Sequence, residues 1–312
     1  MKSIFNTFSV IFAFALLSCN SSENSADATS EDQQKITVTH DLGTTHVKVN
    51  PSKVVVLDLG SLETLDQLGV EIIATAKRNL PEYLRHYEND ASITDVGTLK
   101  EVNLEKIQAL SPDLIIISGR LQDSYKELSQ IAPTIFVALD YKDYMSSFEK
   151  NVRLLGEIFQ KEKEVEVELA AINEKISENK ELIKERPEKA LIVLYNNGKF
   201  SAYGKNSRFG FIHDVMDVKP AIENLEVSNH GNAVSNEFIQ ETNPDYLFII
   251  DRGAIVNGKS ASKEEIENAL IKQTNAAKNN NIIYLDPTVW YISGGGLTSV
   301  KEMTNEIVSA VK

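Results

Sequence analysis

A segment in the first half of the chain recurs 132 positions later, and this repeat limits the folds open to the sequence. Positions 105–120 align with positions 237–252 without a gap. The identical residues are Glu105, Ile107, Gln108, Pro112, Asp113, Ile117 and Arg120, which correspond to Glu237, Ile239, Gln240, Pro244, Asp245, Ile249 and Arg252. Because self-similarity at a fixed separation indicates a duplicated structural unit, we expect two homologous lobes.

Both lobes show the alternation of strands and helices that is typical of α/β proteins. Buried parallel strands are indicated by 54–58, which is apolar up to its final Asp58, and by the continuous apolar run Leu114–Ile117. The helical segment Leu104–Leu110 lies between them. A hairpin is predicted over 36–49, around Asp41-Leu42-Gly43. Further strands are predicted at 71–74, 190–195, 246–250 and 281–285, and further helices at 62–68, 211–216, 238–241 and 297–311.

A long helical stretch, 146–186, separates the two repeats. It contains no proline and one glycine, and its apolar residues recur at helical spacing. A single straight helix of this length would span about 60 Å, which exceeds the width of a small domain, so we expect two helices with a bend near 160–163. An ordinary pair of surface helices is the alternative. The position between two repeats favours a rigid inter-lobe connector that sets the lobe spacing and touches no ligand.

The amino terminus has the features of a bacterial lipoprotein leader. Lys2 precedes a short apolar run, and Leu16-Leu17-Ser18-Cys19 matches the lipobox, in which the cysteine becomes acylated. A plain secretory signal with an incidental cysteine is the alternative. Cys19 is the only cysteine of the chain, which favours the lipoprotein interpretation and excludes an intramolecular disulfide. The predicted organisation is a signal peptide at 1–18, a disordered tether at 19–34, an N-terminal α/β lobe at 35–143, the helical connector at 144–186 and a C-terminal α/β lobe at 187–312.

The charge of the chain limits its partners. The formal net charge is −13, and removal of the leader with Lys2 makes it −14. A chain this acidic is not expected to bind nucleic acid or anionic lipid headgroups. An anionic ligand would therefore need a local basic pocket.

Three arginines are the candidates for such a pocket. Arg120 and Arg252 follow the repeated strands in both lobes, and ligands of parallel α/β sheets bind beyond these carboxyl ends. Arg208 precedes a helix start and could be a third. Each arginine alone could be a surface salt-bridge partner. Two at repeat-related strand ends favour a site for phenolate or carboxylate oxygens between the lobes.

His230 and Tyr291 lie in loops rather than on apolar faces, and imidazole and phenolate can both ligate Fe(III). Two single residues do not make a motif. Dinucleotide-binding, P-loop and nucleophile-elbow sequences are absent, as are HExxH, CxxC and EF-hand motifs. The glycine run 294–296 precedes a helix and could seat an anion or be a flexible binding loop. His213, within a predicted helix, is expected to be structural.

The second half of the chain carries a series of motifs in a fixed order: Ser201-Ala202-Tyr203-Gly204, Ser207-Arg208-Phe209-Gly210-Phe211-Ile212-His213-Asp214-Val215, His230-Gly231, Asn243-Pro244-Asp245-Tyr246, Asp251-Arg252, Ile283-Tyr284-Leu285-Asp286-Pro287 and Trp290-Tyr291. This series is similar to the CeuE-like catecholate-siderophore lipoproteins. The lipobox, the tether, the two lobes and the connector resemble the wider family of substrate-binding proteins of ABC-type iron–siderophore importers. That resemblance implies the helical-backbone type of substrate-binding protein.

The resemblance also implies residue roles. Arg120, Arg208 and Arg252 match three arginines that contact the catecholate oxygens of an anionic Fe(III) complex. His230 and Tyr291 match a histidine and a tyrosine that complete iron coordination when the siderophore supplies only four donors. Glu105 and Glu237 match the glutamates that pair with arginines of the permease. The chain departs from the family in two loop regions, the glycine run 294–296 and the charged segment 260–267. The resemblance therefore does not specify which siderophore is bound.

The expected function is capture of a ferric catecholate siderophore in the inter-lobe cleft, with no intrinsic cofactor and no catalysis. Expected partners are the ABC permease and its ATPase, and a membrane through lipid on Cys19. The protein is expected to be a monomer in the cell envelope, facing the periplasm or the outside of the cytoplasmic membrane. A cobalamin- or haem-binding protein, a direct metal binder and an α/β enzyme are the alternatives. A stiff connector predicts lobe closure by a few degrees of bending.

Overall fold

The computed structural model describes residues 34–311. The predicted leader, the lipidation site Cys19 and nearly all of the predicted tether lie outside the described residues. Among residues 34–311, no helix is both long enough and apolar enough to cross a membrane.

The strands and helices alternate along most of the chain. The strands are β1 Lys35–His40, β2 Gly43–Lys48, β3 Val54–Val56, β4 Ala74–Thr75, β5 Thr94–Asp95, β6 Leu114–Ile117, β7 Thr134–Phe136, β8 Lys189–Asn196, β9 Lys199–Tyr203, β10 Lys219–Pro220, β11 Asn232–Val234, β12 Tyr246–Asp251 and β13 Ile282–Leu285. The α-helices are α1 Leu59–Gln67, α2 Leu104–Leu110, α3 Tyr125–Ile131, α4 Tyr144–Phe159, α5 Glu162–Lys184, α6 Phe211–Asp214, α7 Asn236–Thr242, α8 Arg252–Val256, α9 Lys263–Ile266, α10 Asn275–Lys278 and α11 Leu297–Val311.

Two sheets define two lobes. The N-lobe contains a parallel five-stranded sheet in the order β5-β4-β3-β6-β7, and the predicted hairpin is formed by β1 and β2. The C-lobe contains a mixed six-stranded sheet in the order β11-β9-β8-β12-β13, with β10 paired to the start of β8. Strands β8, β12 and β13 are parallel, and β9 is antiparallel to both of its neighbours, β8 and β11. This α/β architecture agrees with the predicted fold class.

The repeat found in the sequence is a structural repeat. Helices α2 and α7 have the same length at a separation of 132 positions, and Asn103 and Ser235 cap them in the same way. Both helices end at a residue in the left-handed conformation. The repeated aspartates Asp113 and Asp245 then accept a backbone hydrogen bond at the start of the neighbouring strand, from Lys53 directly before β3 and from Lys189, the first residue of β8. The identities therefore mark a helix–turn–strand unit that each lobe uses to start a central strand.

The connector consists of two helices, α4 and α5, as the spacing of apolar residues predicts. The bend falls at Gln160, which adopts a left-handed conformation with φ of 55°. The inner faces of both helices pack with the C-lobe sheet and with α11 in one apolar core. Terminal helix α11 also contacts α1 of the N-lobe, so the lobes meet at a second place besides the connector.

One predicted strand is displaced. The interval 71–74 was predicted as a strand, but β4 begins at Ala74. The amide of Ile73, directly before β4, donates a hydrogen bond to the carbonyl oxygen of Val54, so pairing with β3 begins only at the end of the predicted interval. The short strands β5, β7, β9, β10 and β11 have no counterpart in the sequence prediction.

Candidate functional site

Three arginines from both lobes converge on one tyrosine. Arg120 follows β6 of the N-lobe, and Arg252 follows β12 of the C-lobe, as the repeat predicts. Arg208 lies in the loop between β9 and α6. Tyr291 lies in a π-helical turn, Thr288–Ile292, which follows β13. The structure thus brings together Arg120, Arg208, Arg252 and Tyr291 at the carboxyl ends of the central strands.

The arginines bind Tyr291 through its backbone, its hydroxyl and its ring. Arg120 Nη2 and Arg208 Nη2 donate to the carbonyl oxygen of Tyr291 at 2.6 and 2.5 Å. Arg252 Nε lies 2.9 Å from the Tyr291 hydroxyl oxygen. The Arg208 guanidinium lies over the ring, 4.2 Å from its centroid, and those of Arg120 and Arg252 lie at 5.2 and 5.9 Å. The negative face of an aromatic ring favours such cations.

The charges of this cluster change the pKa values of its members. Burial raises the pKa of Tyr291, but the hydrogen bond from Arg252 and the positive charges of all three arginines outweigh it, so the pKa lies below its usual value. Burial and the charge of Arg208 lower the pKa of Arg120. Cations held this close together repel one another, so an anionic ligand that bridges them would be stabilised.

A cavity of about 210 Å³ opens between the lobes beside Tyr291. Its wall includes Arg120 and Arg252 together with the exposed cations Arg78 and Lys100 of the N-lobe. Among the described residues, no carboxylate lines this cavity. Its remaining wall is largely apolar, with Leu99, Ile255, Val256 and Ile292. The cavity is therefore a basic pocket in an acidic chain.

Sequence reasoning missed Arg78 and Lys100. They follow β4 and β5, so they obey the same strand-end rule that identifies Arg120. The signal was weak because each of these strands is two residues long, and β5 was not predicted at all.

A second cavity, of about 280 Å³, lies on the other side of Arg120 and Arg208. Its wall includes Asp58, which accepts hydrogen bonds from the hydroxyls of Ser61 and Ser118. The connector contributes Asn151 and Val152 to this wall. The connector thus lies nearer to the arginine cluster than its predicted role as a spacer implies.

The other predicted residues line neither of the two cavities. His230 is exposed in the loop before β11 and belongs to the wall of neither cavity described above. Its neighbour Gly231 packs so closely on Tyr203 that a Cβ atom there would lie 2.6 Å from the ring. Glu105 and Glu237 are exposed in the first turns of α2 and α7, at equivalent places on the two lobes. His213 is buried and its Nδ1 lies 2.8 Å from the carbonyl oxygen of Val218, which agrees with a structural role.

The alternative of a direct metal binder would need a site built only from protein ligands. Within residues 34–311, no group of three or more histidine, cysteine, aspartate or glutamate side chains is arranged to hold a metal ion.

Comparison with known proteins identifies the family. The sequence model described as Periplasmic binding protein matches residues 54–289. The petrobactin-binding protein YclQ of Bacillus subtilis is 44% identical over 302 residues, which cover 96% of this chain and 95% of YclQ. The crystal structure of YclQ superposes with a TM-score of 0.87 and 46% identity, over 89% of this chain and 99% of that chain.

Two further relatives are similar over most of their length. The ferric-anguibactin-binding protein FatB of Vibrio anguillarum is 40% identical over 278 residues, covering 88% of this chain and 86% of FatB. The periplasmic catecholate-siderophore binding protein VctP of Vibrio cholerae has a TM-score of 0.83 and 32% identity, over 88% of this chain and all of VctP (100%). The chain therefore belongs to the periplasmic binding protein family, whose members bind a substrate without transforming it.

Proposed function

We propose that this protein captures a ferric siderophore of the catecholate type between its lobes and delivers it to an ABC-type permease for iron uptake. The observation that carries the proposal is the convergence of Arg120, Arg208 and Arg252 on Tyr291 in a chain of net charge −13. The net negative charge of the chain repels anions in general. A local cluster of cations therefore indicates a site that binds one particular anionic ligand. The relatives YclQ, FatB and VctP are named for petrobactin, ferric anguibactin and catecholate siderophores.

The proposed binding step is an exchange of hydrogen-bond acceptors. Arg120 and Arg208 donate to the neutral carbonyl of Tyr291. The catecholate oxygens of a ferric complex carry negative charge, and charge-assisted hydrogen bonds are about twice as strong as neutral ones. The arginines would therefore turn from the carbonyl to the ligand, while Arg78 and Lys100 attract the complex into the pocket.

Tyr291 and His230 are proposed to complete iron coordination when the siderophore has four donor atoms. The lowered pKa of Tyr291 supports its role, because a phenolate is the form that ligates iron. His230 would join this coordination from its exposed loop before β11.

The proposed delivery step uses the exposed faces of both lobes. Glu105 and Glu237 occupy equivalent helix starts and are exposed, so both are accessible to arginines of a permease. Acylation of Cys19 would hold the protein at the membrane as a monomer, facing the periplasm or the outside of the cytoplasmic membrane, near the permease and its ATPase. With the proposed lobes at 35–143 and 187–312 around the connector 144–186, each lobe carries one of the two proposed docking glutamates.

A fluorescence-quenching panel tests the ligand class. Trp290 is the only tryptophan of the chain and directly precedes Tyr291, so its emission reports on the site. The panel compares ferric bis-catecholate and tris-catecholate complexes with a ferric hydroxamate, ferric citrate, cobalamin and haem. Preferential quenching by the ferric catecholates supports the proposal. Tighter binding of cobalamin or haem would replace it with the corresponding alternative.

A further inference from the structure

A glutamate of the N-lobe is buried against the segment that carries Tyr291. Glu63 lies in α1 and its exposed fraction is 0%. Its Oε2 accepts hydrogen bonds from the hydroxyls of Tyr83 and Ser293, at 2.5 and 2.6 Å. Its Oε1 accepts from the backbone amide of Ser299, at 2.7 Å. Both carboxyl oxygens of a fully buried acid are thus engaged.

The partners of Glu63 belong to different lobes. Tyr83 lies in the N-lobe, whereas Ser293 follows the Tyr291 turn and Ser299 lies in the first turn of α11. Burial raises the pKa of Glu63, and the hydrogen bonds from these partners oppose that rise. A buried acid that lost its partners would be costly, so this carboxyl holds the two lobes together at this place.

The backbones of the lobes also touch here. A Cβ atom on Gly60 would lie 2.8 Å from the carbonyl carbon of Gly295. The amide of Leu297 donates to Thr64 Oγ1 of α1 at 3.2 Å. The glycine run 294–296 therefore permits a close approach of α1, and the acidic group near the start of α11 is Glu63 of the same chain. Neither an external anion nor a flexible loop is needed to explain these glycines.

The same contact determines where the Tyr291 turn sits. Ser293 is two residues from Tyr291, and its hydroxyl is held by Glu63 of the N-lobe. The carbonyl of Tyr291 is held by Arg120, also of the N-lobe. On the C-lobe side, the indole of Trp290 donates to Glu306. The turn is thus attached to both lobes: to the N-lobe through Arg120 and Glu63, and to the rest of the C-lobe through Glu306.

We propose that Glu63 is a positioning residue for the ligand site, which holds the Tyr291 turn against the arginines through Ser293. The contact of α1 with α11 is then a second fixed point between the lobes, besides the connector. Lobe closure about these two points would change the angle of the cleft and leave the Tyr291 turn in place relative to Arg120. The effect on ligand affinity rests on the proposed function, whereas the effect on the turn itself does not.

The test compares Ser293→Ala with Thr298→Val. The first removes the hydroxyl that binds Glu63. The second removes a hydrogen bond that joins α11 to the same helix α1, from Thr298 Oγ1 to Gln67 Oε1 at 3.1 Å. Hydrogen–deuterium exchange of the turn and the emission of Trp290 are measured on the protein without ligand, and ferric bis-catecholate binding is measured separately.

Ser293→Ala is expected to speed amide exchange at 288–294, shift the Trp290 emission and weaken ferric bis-catecholate binding about tenfold, which corresponds to the loss of one buried hydrogen bond. Thr298→Val is expected to lower the unfolding midpoint comparably and leave the turn and the affinity at wild-type values. Equal behaviour of the two variants in exchange and emission would overturn the proposal. If the wild-type protein bound no ferric catecholate, the proposed function would fail, and exchange and emission would still decide the role of Glu63.

Discussion

Arg120 of the N-lobe donates a 2.6 Å hydrogen bond to the carbonyl oxygen of Tyr291, which lies 171 positions further along the chain. Arg208 of the C-lobe donates to the same oxygen at 2.5 Å. One neutral carbonyl thus collects a cation from each lobe, at the place where the lobes face each other. The proposed ligand offers charged oxygens to the same guanidinium groups. The donors that would bind the ligand are therefore the ones that join the lobes in the absence of ligand.

Removal of two arginines should weaken ligand binding strongly. The double variant Arg208→Ala/Arg252→Ala is expected to lose several kcal/mol of binding free energy, at about 1.5–3 kcal/mol for each charged hydrogen bond. Quenching of Trp290 by a ferric catecholate measures the change. Arg85→Ala, at an exposed arginine that pairs with Glu82, is the control and should bind normally. Unchanged affinity in the double variant would contradict the site assignment.

Tyr291→Phe should separate ligands by their number of donor atoms. The variant keeps the ring under Arg208 and loses the hydroxyl that accepts from Arg252. We expect a loss of about tenfold or more for ferric complexes with four donors, and a smaller loss for those with six. Tyr284→Phe, which loses a hydroxyl bonded to Glu267, is the control. Equal losses for both ligand types would exclude coordination by Tyr291.

The affinity for four-donor complexes should also depend on pH. The three guanidiniums hold the pKa of Tyr291 below its usual value, so the phenolate forms at a lower pH than in free tyrosine. Protons compete with iron for this oxygen, so affinity should rise with pH and level off above the lowered pKa of Tyr291. Binding titrations across neutral and alkaline pH measure the curve. A curve of the same shape in Tyr291→Phe would assign the pH dependence to another group.

Arg78 and Lys100 should contribute mainly by attraction at a distance. Both are exposed at the cavity, so water and salt screen them, and each alanine variant is expected to cost about 1 kcal/mol or less. The loss should shrink as salt is added, which titrations at two ionic strengths would reveal. Lys126→Ala, on exposed α3, is the control. A loss as large as that of the arginine double variant would instead indicate direct contact with the ligand.

Reversal of the charges at Glu105 and Glu237 should block delivery without affecting capture. The variant Glu105→Arg/Glu237→Arg is expected to bind a ferric catecholate normally and to support little iron uptake in cells that contain the transporter. Like charges across an interface are repulsive and select against docking. Glu127→Arg, on exposed α3, controls for charge reversal elsewhere on the surface. Normal uptake by the double variant would exclude these glutamates as docking residues.

Acid should destabilise the fold through His213. Burial lowers the pKa of His213 from 6.5 to about 4, although the bond to Val218 favours the charged form. The unfolded chain takes up this proton below pH 6.5 and the folded chain only near pH 4, so stability falls as pH drops through that interval. The loss reaches about 3 kcal/mol at most. Denaturant unfolding at pH 7 and pH 4.5 should show a smaller decrease for His213→Gln than for the wild type.

The architecture was predictable because its signals are local. The helical period of 144–186 identifies the connector, and the left-handed residue Gln160 lies in the expected bend. The repeat predicts two lobes since helix, turn and strand recur at one separation, and the strand-end rule then places Arg120 and Arg252 at the cleft. These inferences need only the order of residues along the chain and the geometry of strands and helices.

The arrangement around Tyr291 was decided by the tertiary structure. The bonds from Arg120 to Tyr291 and from Ser293 to Glu63 join residues 171 and 230 positions apart, and no local pattern encodes such a pairing. Arg78 and Lys100 reach the cleft from loops that follow two-residue strands, of which the sequence predicted one out of place and the other not at all. The physical reason is that a buried acid or a cluster of cations is stable only where distant segments supply its partners. The residue types were visible in the sequence, and only folding determined which of them meet.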